Sequence, residues 1–362
     1  MYRIFMIGYS QNKGGVETYI SNLTNNLDHS EFEVVYSMPK MTINGKTWIR
    51  PVNRHNYLRY RAFWKRFYKV NHFDVLYFNT CDIVSTDQLK FAKAAGVPVR
   101  IIHAHSSGNQ QGVDRKMSLF HRLSEKRSRK TIDQYATHLF ACSKSAGDWM
   151  FDGRPFQIIK NGIQLSKYRF DEKKRERIRK EYGYCQEKLI GIIGRLEPPK
   201  NPLFAVQILE GIMKNDDVKA VFLGDGVQRQ DVESAVKKAG LEHRVQFVGA
   251  VDNVFEWVSA VDCLLMTSLF EGLPFVLIEA QAAGLPCIVS DTVSLEANIT
   301  GLIEYLSLKA SIQTWAERIM NNCGKKRPNT AQQLMEAGYL IENTVKQVSE
   351  IITEALGKAQ QV

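Results

Sequence analysis

Nothing in this chain of 362 residues approaches the roughly 20 consecutive apolar residues that a membrane-crossing helix needs; runs such as Cys263-Leu-Leu-Met266 are a few residues long. The opening Met1-Tyr-Arg-Ile-Phe-Met-Ile-Gly8 is too short for a signal peptide and leads into Gln11-Asn-Lys-Gly-Gly15 without a small-residue cleavage site, so it reads as a first buried strand. Six widely spaced cysteines include no Cys-x-x-Cys pair, which leaves free thiols in a reducing cytoplasm as the expectation. There is no Asp-x-Asp, and no His, Asp or Glu cluster has the spacing of metal ligands. Acidic residues are scarce in one half only. Residues 1–165 hold 24 Lys and Arg against 12 Asp and Glu, whereas the remainder holds 24 against 26. The whole net excess of +10 therefore sits in the N-terminal half and points to an anionic partner there.

What is present is an ordinary globular composition, 44% apolar and 24% charged, in a chain longer than one core usually fills. Strand-like runs at 2–8, 32–38, 74–78, 97–102 and 138–142 alternate with helical patterns such as 15–27, the signature of βαβ units and a parallel sheet. The rhythm restarts after the charged stretch 171–180, which reads as a solvated helix face, with strands at 189–193, 220–223, 245–248, 263–266 and 286–289. Residues 330–357 carry apolar positions at helical spacing and read as one long amphipathic helix. Two doubly wound α/β domains follow: an N-terminal domain over 1–165, a linker over 166–186, a C-terminal domain over 187–335 and a terminal helix over 336–362. Ligands of such sheets sit at strand carboxyl ends, in a cleft between the two domains.

Three motifs fall at those ends. Gly14-Gly15, where a strand turns into a helix, lets the backbone and the free helix amides approach a phosphate, although an ordinary glycine-rich turn reads the same way. Gly224-Asp-Gly226 reads as a turn. In Gly194-Arg-Leu-Glu-Pro-Pro-Lys-Asn201, Arg195 and Lys200 follow strand 189–193 and suit a diphosphate, or are simply exposed cations. In Phe270-Glu-Gly-Leu-Pro-Phe-Val-Leu-Ile-Glu279, Glu271 lies in a loop and Glu279 inside the following helix, with Pro274 near its first turn.

Together these residues resemble the GT-B glycosyltransferases, specifically the retaining family 4 enzymes of bacterial capsule and exopolysaccharide assembly. Gln281-Ala-Ala-Gly-Leu-Pro-Cys-Ile-Val-Ser-Asp291 and His103-Ala-His-Ser-Ser107 add to the likeness, which spans essentially the whole chain. It implies two Rossmann-like domains facing a cleft, with the C-terminal helix crossing back onto the N-terminal domain. By position, Arg195 and Lys200 would bind the donor diphosphate, Glu279 the ribose and Glu271 the donor sugar. Amides of Gly272, Leu273, Pro274 and Phe275 would hold sugar and phosphate, with Gly14 and Gly15 approaching from the other domain. Val248 and Gly249 would recognise the base, His105 would sit beside the reacting carbon, and Asn161-Gly162 matches a hinge-proximal loop. The chain departs from the wider family after Asp291, where Thr292-Val-Ser-Leu-Glu296 replaces a Gly-Gly-x-x-Glu stretch and weakens any role for Glu296.

The resemblance implies a metal-independent, retaining hexosyltransferase that takes a nucleotide-sugar, expected to be a UDP-sugar, and extends a lipid-linked saccharide, with no separate cofactor. A nucleotide-sugar epimerase of the same fold and a non-enzymatic basic membrane- or nucleic-acid-binding protein are the alternatives. Two basic clusters, 48–70 and 115–130, bear on location. The first interleaves seven cations with Trp48, Tyr57, Tyr60, Phe63, Trp64, Phe67 and Tyr68, a composition that suits an interfacial helix on an anionic membrane. Solvated helix faces and single-stranded nucleic acid are the other readings, and no nucleic-acid signature accompanies the charge. The expected location is the cytoplasm, peripheral at the inner face of the cell membrane.

Overall fold

A computed structural model describes residues 1–10, 14–50, 56–106, 119–213 and 217–361, of which 119–122 by their backbone alone. The chain forms two compact units: Met1–Gly162 with Ile341–Val362, and Ile163–Leu340.

The strands of the first unit are β1 (Tyr2–Ile7), β2 (Phe32–Tyr36), β3 (Lys40–Ile43), β4 (Lys46–Ile49), β5 (Val75–Thr80), β6 (Val99–Ala104), β7 (His138–Ala141) and β8 (Gln157–Ile158). Six of them make a parallel sheet in the order β2-β1-β5-β6-β7-β8. The order reverses between β1 and β5, so the carboxyl ends of those strands, at Gly8 and Thr80, are the place where such a sheet takes ligands. β3 and β4 form a separate antiparallel hairpin. Its turn, Asn44-Gly45, has φ of +50° and +73°, the left-handed pair that an Asn-Gly hairpin requires.

The second unit follows with β9 (Lys188–Ile193), β10 (Val218–Leu223), β11 (Val245–Gly249), β12 (Cys263–Met266), β13 (Cys287–Ser290) and β14 (Ile303–Leu306). Their order, β11-β10-β9-β12-β13-β14, is that of a Rossmann sheet with its reversal between β9 and β12. Ile190, Phe222, Leu265, Trp315 and Ile319 are buried to within 1% on one face of this sheet. Each contributes on the order of 1.5–3 kcal/mol by leaving water.

Two segments differ from the sequence reading. Residues 166–186, expected as a linker between the domains, belong to the second unit. The helices Leu165–Tyr168 and Glu172–Glu181 are folded into the second unit, the latter capped by Asp171, whose carboxylate accepts from Lys173 N at 2.8 Å. The charged run is only partly a solvated face, because Arg175 and Arg179 turn inward to Asp262 at 2.7 and 3.3 Å. At the other end, 330–357 is two helices, Ala331–Glu336 and Ile341–Gln360, interrupted at Gly338 (φ +81°). The chain changes unit at that break. The helix Ile341–Gln360 packs on the first unit through Val348, Ile352 and Leu356, and Thr344 Oγ1 donates to Lys160 O at 3.1 Å.

Candidate functional site

At the second unit's switch point β9 runs into Gly194-Arg195-Leu196 and β12 into Thr267-Ser268. A concavity there is lined by Gly194, Arg195, Lys200, Met266, Thr267 and Ser268. The two loops are stitched by backbone: Leu269 N donates to Pro199 O at 2.8 Å, and Thr267 Oγ1 to Asn201 O at 2.9 Å. Lys200 forms an ion pair with Glu271, whose Oε1 also accepts from Ser268 Oγ at 2.8 Å. Glu271 is further held by a backbone bridge to Val293. Arg195 is exposed and paired at 3.0 Å with Glu197. Two expected diphosphate cations therefore stand at one pocket, each against its own carboxylate.

The turn Gly224-Asp-Gly226 sets this loop. Gly194 N donates to Leu223 O and Leu196 N to Asp225 O, both at 2.9 Å. A Cβ on Gly224 (φ +142°) would stand 2.0 Å from Gly194 O. Only glycine lets the two backbones lie this close. Gly224 N also donates to Gly249 O at 2.8 Å, so the end of β11, with Val248 and Gly249, is tied to the same turn.

Gly272, Leu273, Pro274 and Phe275 are buried before and at the start of the helix Phe275–Ala282. Pro274 has no N–H, so this loop offers at most three of the four expected amides. Glu279 lies inside the helix at 6% exposure, away from the Lys200–Glu271 pair's own contacts, and accepts from the Tyr168 hydroxyl. Burial pushes its carboxyl up to about 7, against the pull of Tyr168 and Lys167. Burial, and then Glu279 itself, raise the Tyr168 hydroxyl.

In the first unit Gly14 caps the helix Gly15–Asn25, and the Glu17 carboxylate lies against it: a Cβ on Gly14 would be 2.7 Å from Glu17 Oε2. The Glu17 carboxylate thus stands beside the two glycines expected to approach a phosphate. His105, just past β6, is partly buried beside His103 and Tyr19, with ring centroids 4.1 and 4.9 Å away. Its Nε2 faces Asn79 Oδ1 at 2.9 Å, and burial pushes the imidazole down to about 3, so it is neutral at physiological pH. Asn161 is buried and Gly162 O accepts from Asn22 at 3.2 Å. Ser107 lies outside the described residues.

Two family models match the chain. The one described as Glycosyltransferase Family 4 matches residues 13–167, and the one described as Glycosyl transferases group 1 matches 187–322. A Bacillus subtilis protein named as glycosyltransferase EpsF is 28% identical over 366 residues, covering 95% of this chain and 94% of its own. The chain belongs to glycosyltransferase family 4. Among further relatives is the Escherichia coli UDP-Gal:alpha-D-GlcNAc-diphosphoundecaprenol alpha-1,3-galactosyltransferase, 27% identical over 217 residues, 55% of this chain and 53% of that protein. The crystal structure of Anabaena HepE with UDP-glucose covers 98% of this chain and 100% of its own, with a TM-score of 0.73 at 17% identity, and shows the shared GT-B fold.

Three polar partners of the expected site residues, Ser268 on Glu271, Tyr168 on Glu279 and Asn79 on His105, are absent from the sequence reading. Ser268 and Tyr168 carry no local signal. Asn79 had one: Tyr77-x-Asn79 and His103-x-His105 alternate on neighbouring strands and share a sheet face. The basic-aromatic reading is corrected in part. Trp48, Trp64, Phe67 and Tyr68 are at most 5% exposed: the last three lie on the buried face of the helix Tyr57–Asn71 and pack around Phe5, and Trp48 packs from β4 onto Phe67. They are not free for headgroups, while Arg59, Arg61, Lys65, Arg66 and Lys69 are exposed. In the second cluster Arg115 and Lys116 fall outside the described residues, and Arg129 is tied to Glu125 at 2.7 Å and Met150 O at 2.8 Å. Among the described residues no helix is long and apolar enough to cross a membrane, and no group of three or more His, Cys, Asp or Glu side chains is placed to hold a metal.

Proposed function

We propose that this family 4 glycosyltransferase moves a hexose with retention from a nucleotide-sugar, a UDP-sugar before others, to a lipid-linked saccharide in capsule or exopolysaccharide assembly. The observation that carries the reading is the Lys200–Glu271 pair beside Arg195 at the second sheet's switch point. A diphosphate entering there takes over Lys200 and Arg195, whose charge stabilises the leaving group without a metal ion. Glu271, released from Lys200, becomes free to accept from donor-sugar hydroxyls, and Glu279 accepts from the ribose in place of Tyr168. The acceptor hydroxyl then attacks the anomeric carbon on the face the diphosphate leaves. The C–O bond to phosphate breaks as the new one forms, and the departing phosphate oxygen takes the hydroxyl proton. The E. coli relative's name, with its UDP-sugar and diphosphoundecaprenol acceptor, agrees with both substrate classes. The exposed cations of the helix Tyr57–Asn71 fit a peripheral position on an anionic membrane face.

Thermal shift against a panel of nucleotide-sugars tests the reading. The true donor at 100 times its Kd stabilises the chain by about 2.7 kcal/mol. A panel of UDP-, GDP-, ADP- and dTDP-sugars that leaves Tm unmoved would sink it.

A further inference from the structure

The first sheet's switch point holds a buried polar network that the donor chemistry does not use. Asn79, on β5 and 2% exposed, spans from β1 to the end of β6. Its Nδ2 donates to Ile7 O at 3.0 Å, and its Oδ1 faces His105 Nε2 at 2.9 Å. A backbone carbonyl only accepts, so Ile7 fixes which way the amide points. The atom turned to His105 is then an acceptor too, and the hydrogen bond forms only if Nε2 carries the proton. Gly8 keeps this arrangement close: at φ +107°, a Cβ there would stand 2.7 Å from Asn79 O and 2.8 Å from Asn79 Cβ. The ring is clamped between Tyr19 and His103, and its backbone N donates to Thr80 O at 3.0 Å. Among the described residues Asn79 is the ring's one hydrogen-bond partner.

We propose that Asn79 is the positioning residue of His105: it locks the ring as the Nε2–H tautomer, so that His105 presents an unprotonated Nδ1 and takes a hydroxyl rather than a phosphate. A lone pair accepts from a sugar O–H. The oxygens of a nucleotide-sugar's diphosphate are fully ionised at neutral pH and have no proton to give it, and a neutral ring between two aromatic neighbours offers no charge in exchange. The inference rests on the proposed function only in the expectation that His105 lies beside the reacting carbon; the tautomer stands on geometry alone.

The experiment is long-range ¹H–¹⁵N NMR on histidine-labelled full-length protein, with Asn79→Ala and Asn79→Asp beside the wild type, and kinetics with whichever UDP-sugar the thermal-shift screen selects. The wild type is expected to show His105 protonated at Nε2 with a pyridine-like Nδ1. Asn79→Ala loses that tautomer as the main form, and kcat falls at least about tenfold with the donor KM unchanged, because the wrong tautomer offers no acceptor at Nδ1. Asn79→Asp still offers an acceptor oxygen, so the Nε2–H form returns and the ring titrates at higher pH than in the wild type. A wild-type ring protonated at Nδ1, or the same tautomer in Asn79→Ala as in wild type, overturns the proposal. His105→Ala keeps the two readings apart: full activity there removes His105 from the reaction, whereas the NMR decides the tautomer regardless.

Discussion

Where strand order reverses in the second unit, at the ends of β9 and β12, stand Arg195, Glu197, Lys200 and Glu271, four charged groups in two ion pairs. At the corresponding reversal in the first unit, between β1 and β5, stand Asn79, Tyr77, His103 and His105, with Tyr19 over them. None of these carries charge at neutral pH. Burial pushes the Tyr77 hydroxyl far up and the His103 ring far down, with His105 repelling any charge on His103. The same topology has been given opposite electrostatics. An ion pair can exchange its carboxylate for a phosphate, the cation staying paired while the freed carboxylate turns to hydroxyls, so the second unit suits an anion. A buried neutral network would have to desolvate an anion with nothing to offset the cost, so the first is built for hydroxyls. Part of the basic excess of the N-terminal half lies instead on the outside, as the five exposed cations of the helix Tyr57–Asn71.

The largest effect expected from this contrast is at Lys200. Lys200→Ala removes a preorganised charge and leaves Glu271 without its cation, and kcat/KM for the donor falls about 10²–10³-fold, the cost of losing one such stabilising group. Arg195→Ala costs less, about tenfold, because Arg195 is exposed and, among the described residues, pairs with Glu197. Steady-state kinetics in which both variants stay within twofold of wild type would break the comparison, because the charged switch point would then have no charged partner.

Next comes the outer surface of the first unit. Lys65→Ala with Arg66→Ala removes two exposed cations at about 1 kcal/mol each, which weakens partition onto anionic vesicles roughly 30-fold. UDP affinity stays within twofold. Binding in the wild type weakens as salt shortens the Debye length from about 10 Å at 0.1 M to about 3 Å at 1 M. Vesicle binding that ignores both salt and the substitutions would show a merely solvated face.

Glu279 gives a smaller effect, with a definite sign. In the folded chain it holds its proton up to about pH 7, while in the unfolded chain it lets go near its ordinary 4.5. A carboxyl raised in this way contributes stability fully below 4.5 and loses it as pH rises towards 7, on the order of 3 kcal/mol in all. Ribose hydroxyls prefer the carboxylate, so calorimetry should find UDP affinity rising about tenfold from pH 6 to 8, as the competent fraction rises. Glu279→Gln flattens the slope. His105, already neutral throughout this range, contributes nothing to it. A slope that survives Glu279→Gln would move the proton to another group.

Much of this was legible in the sequence. β12, Cys263–Met266, coincides with its apolar run, and the core strands of both sheets follow theirs, because a strand covered on both faces must be apolar throughout. Lys200 and Glu271 stood out because loops after buried strands are where such sheets bind ligands. Their ion pair did not, since it joins residues 71 apart. The hairpin β3–β4 carries one local signal, Asn44-Gly45, between strands of only four residues each, too short for their alternation to stand out. The aromatic residues of 48–70 misled for a related reason. Composition records Trp64 and Phe67 but not that helical spacing turns both into the core. Asn79 needed the pairing of β5 with β6, which no local window contains.

The smallest expected effect is an absence of change, and it sharpens the contrast most economically. If Arg195, Lys200 and the amides of Gly272, Leu273 and Phe275 meet the donor's charge, then EDTA leaves turnover within twofold of its value in Mg²⁺. The pairing makes the test stricter. In Lys200→Ala the site lacks a cation, and if a divalent ion has any place beside the diphosphate, Mg²⁺ or Mn²⁺ should restore part of the lost rate. No rescue, with EDTA harmless to the wild type, leaves the charge with the protein's own groups. Activity abolished by EDTA and returned by Mn²⁺ would mean the second switch point imports its charge along with its substrate. The two units would then differ less in what their residues carry than in which one can recruit a metal.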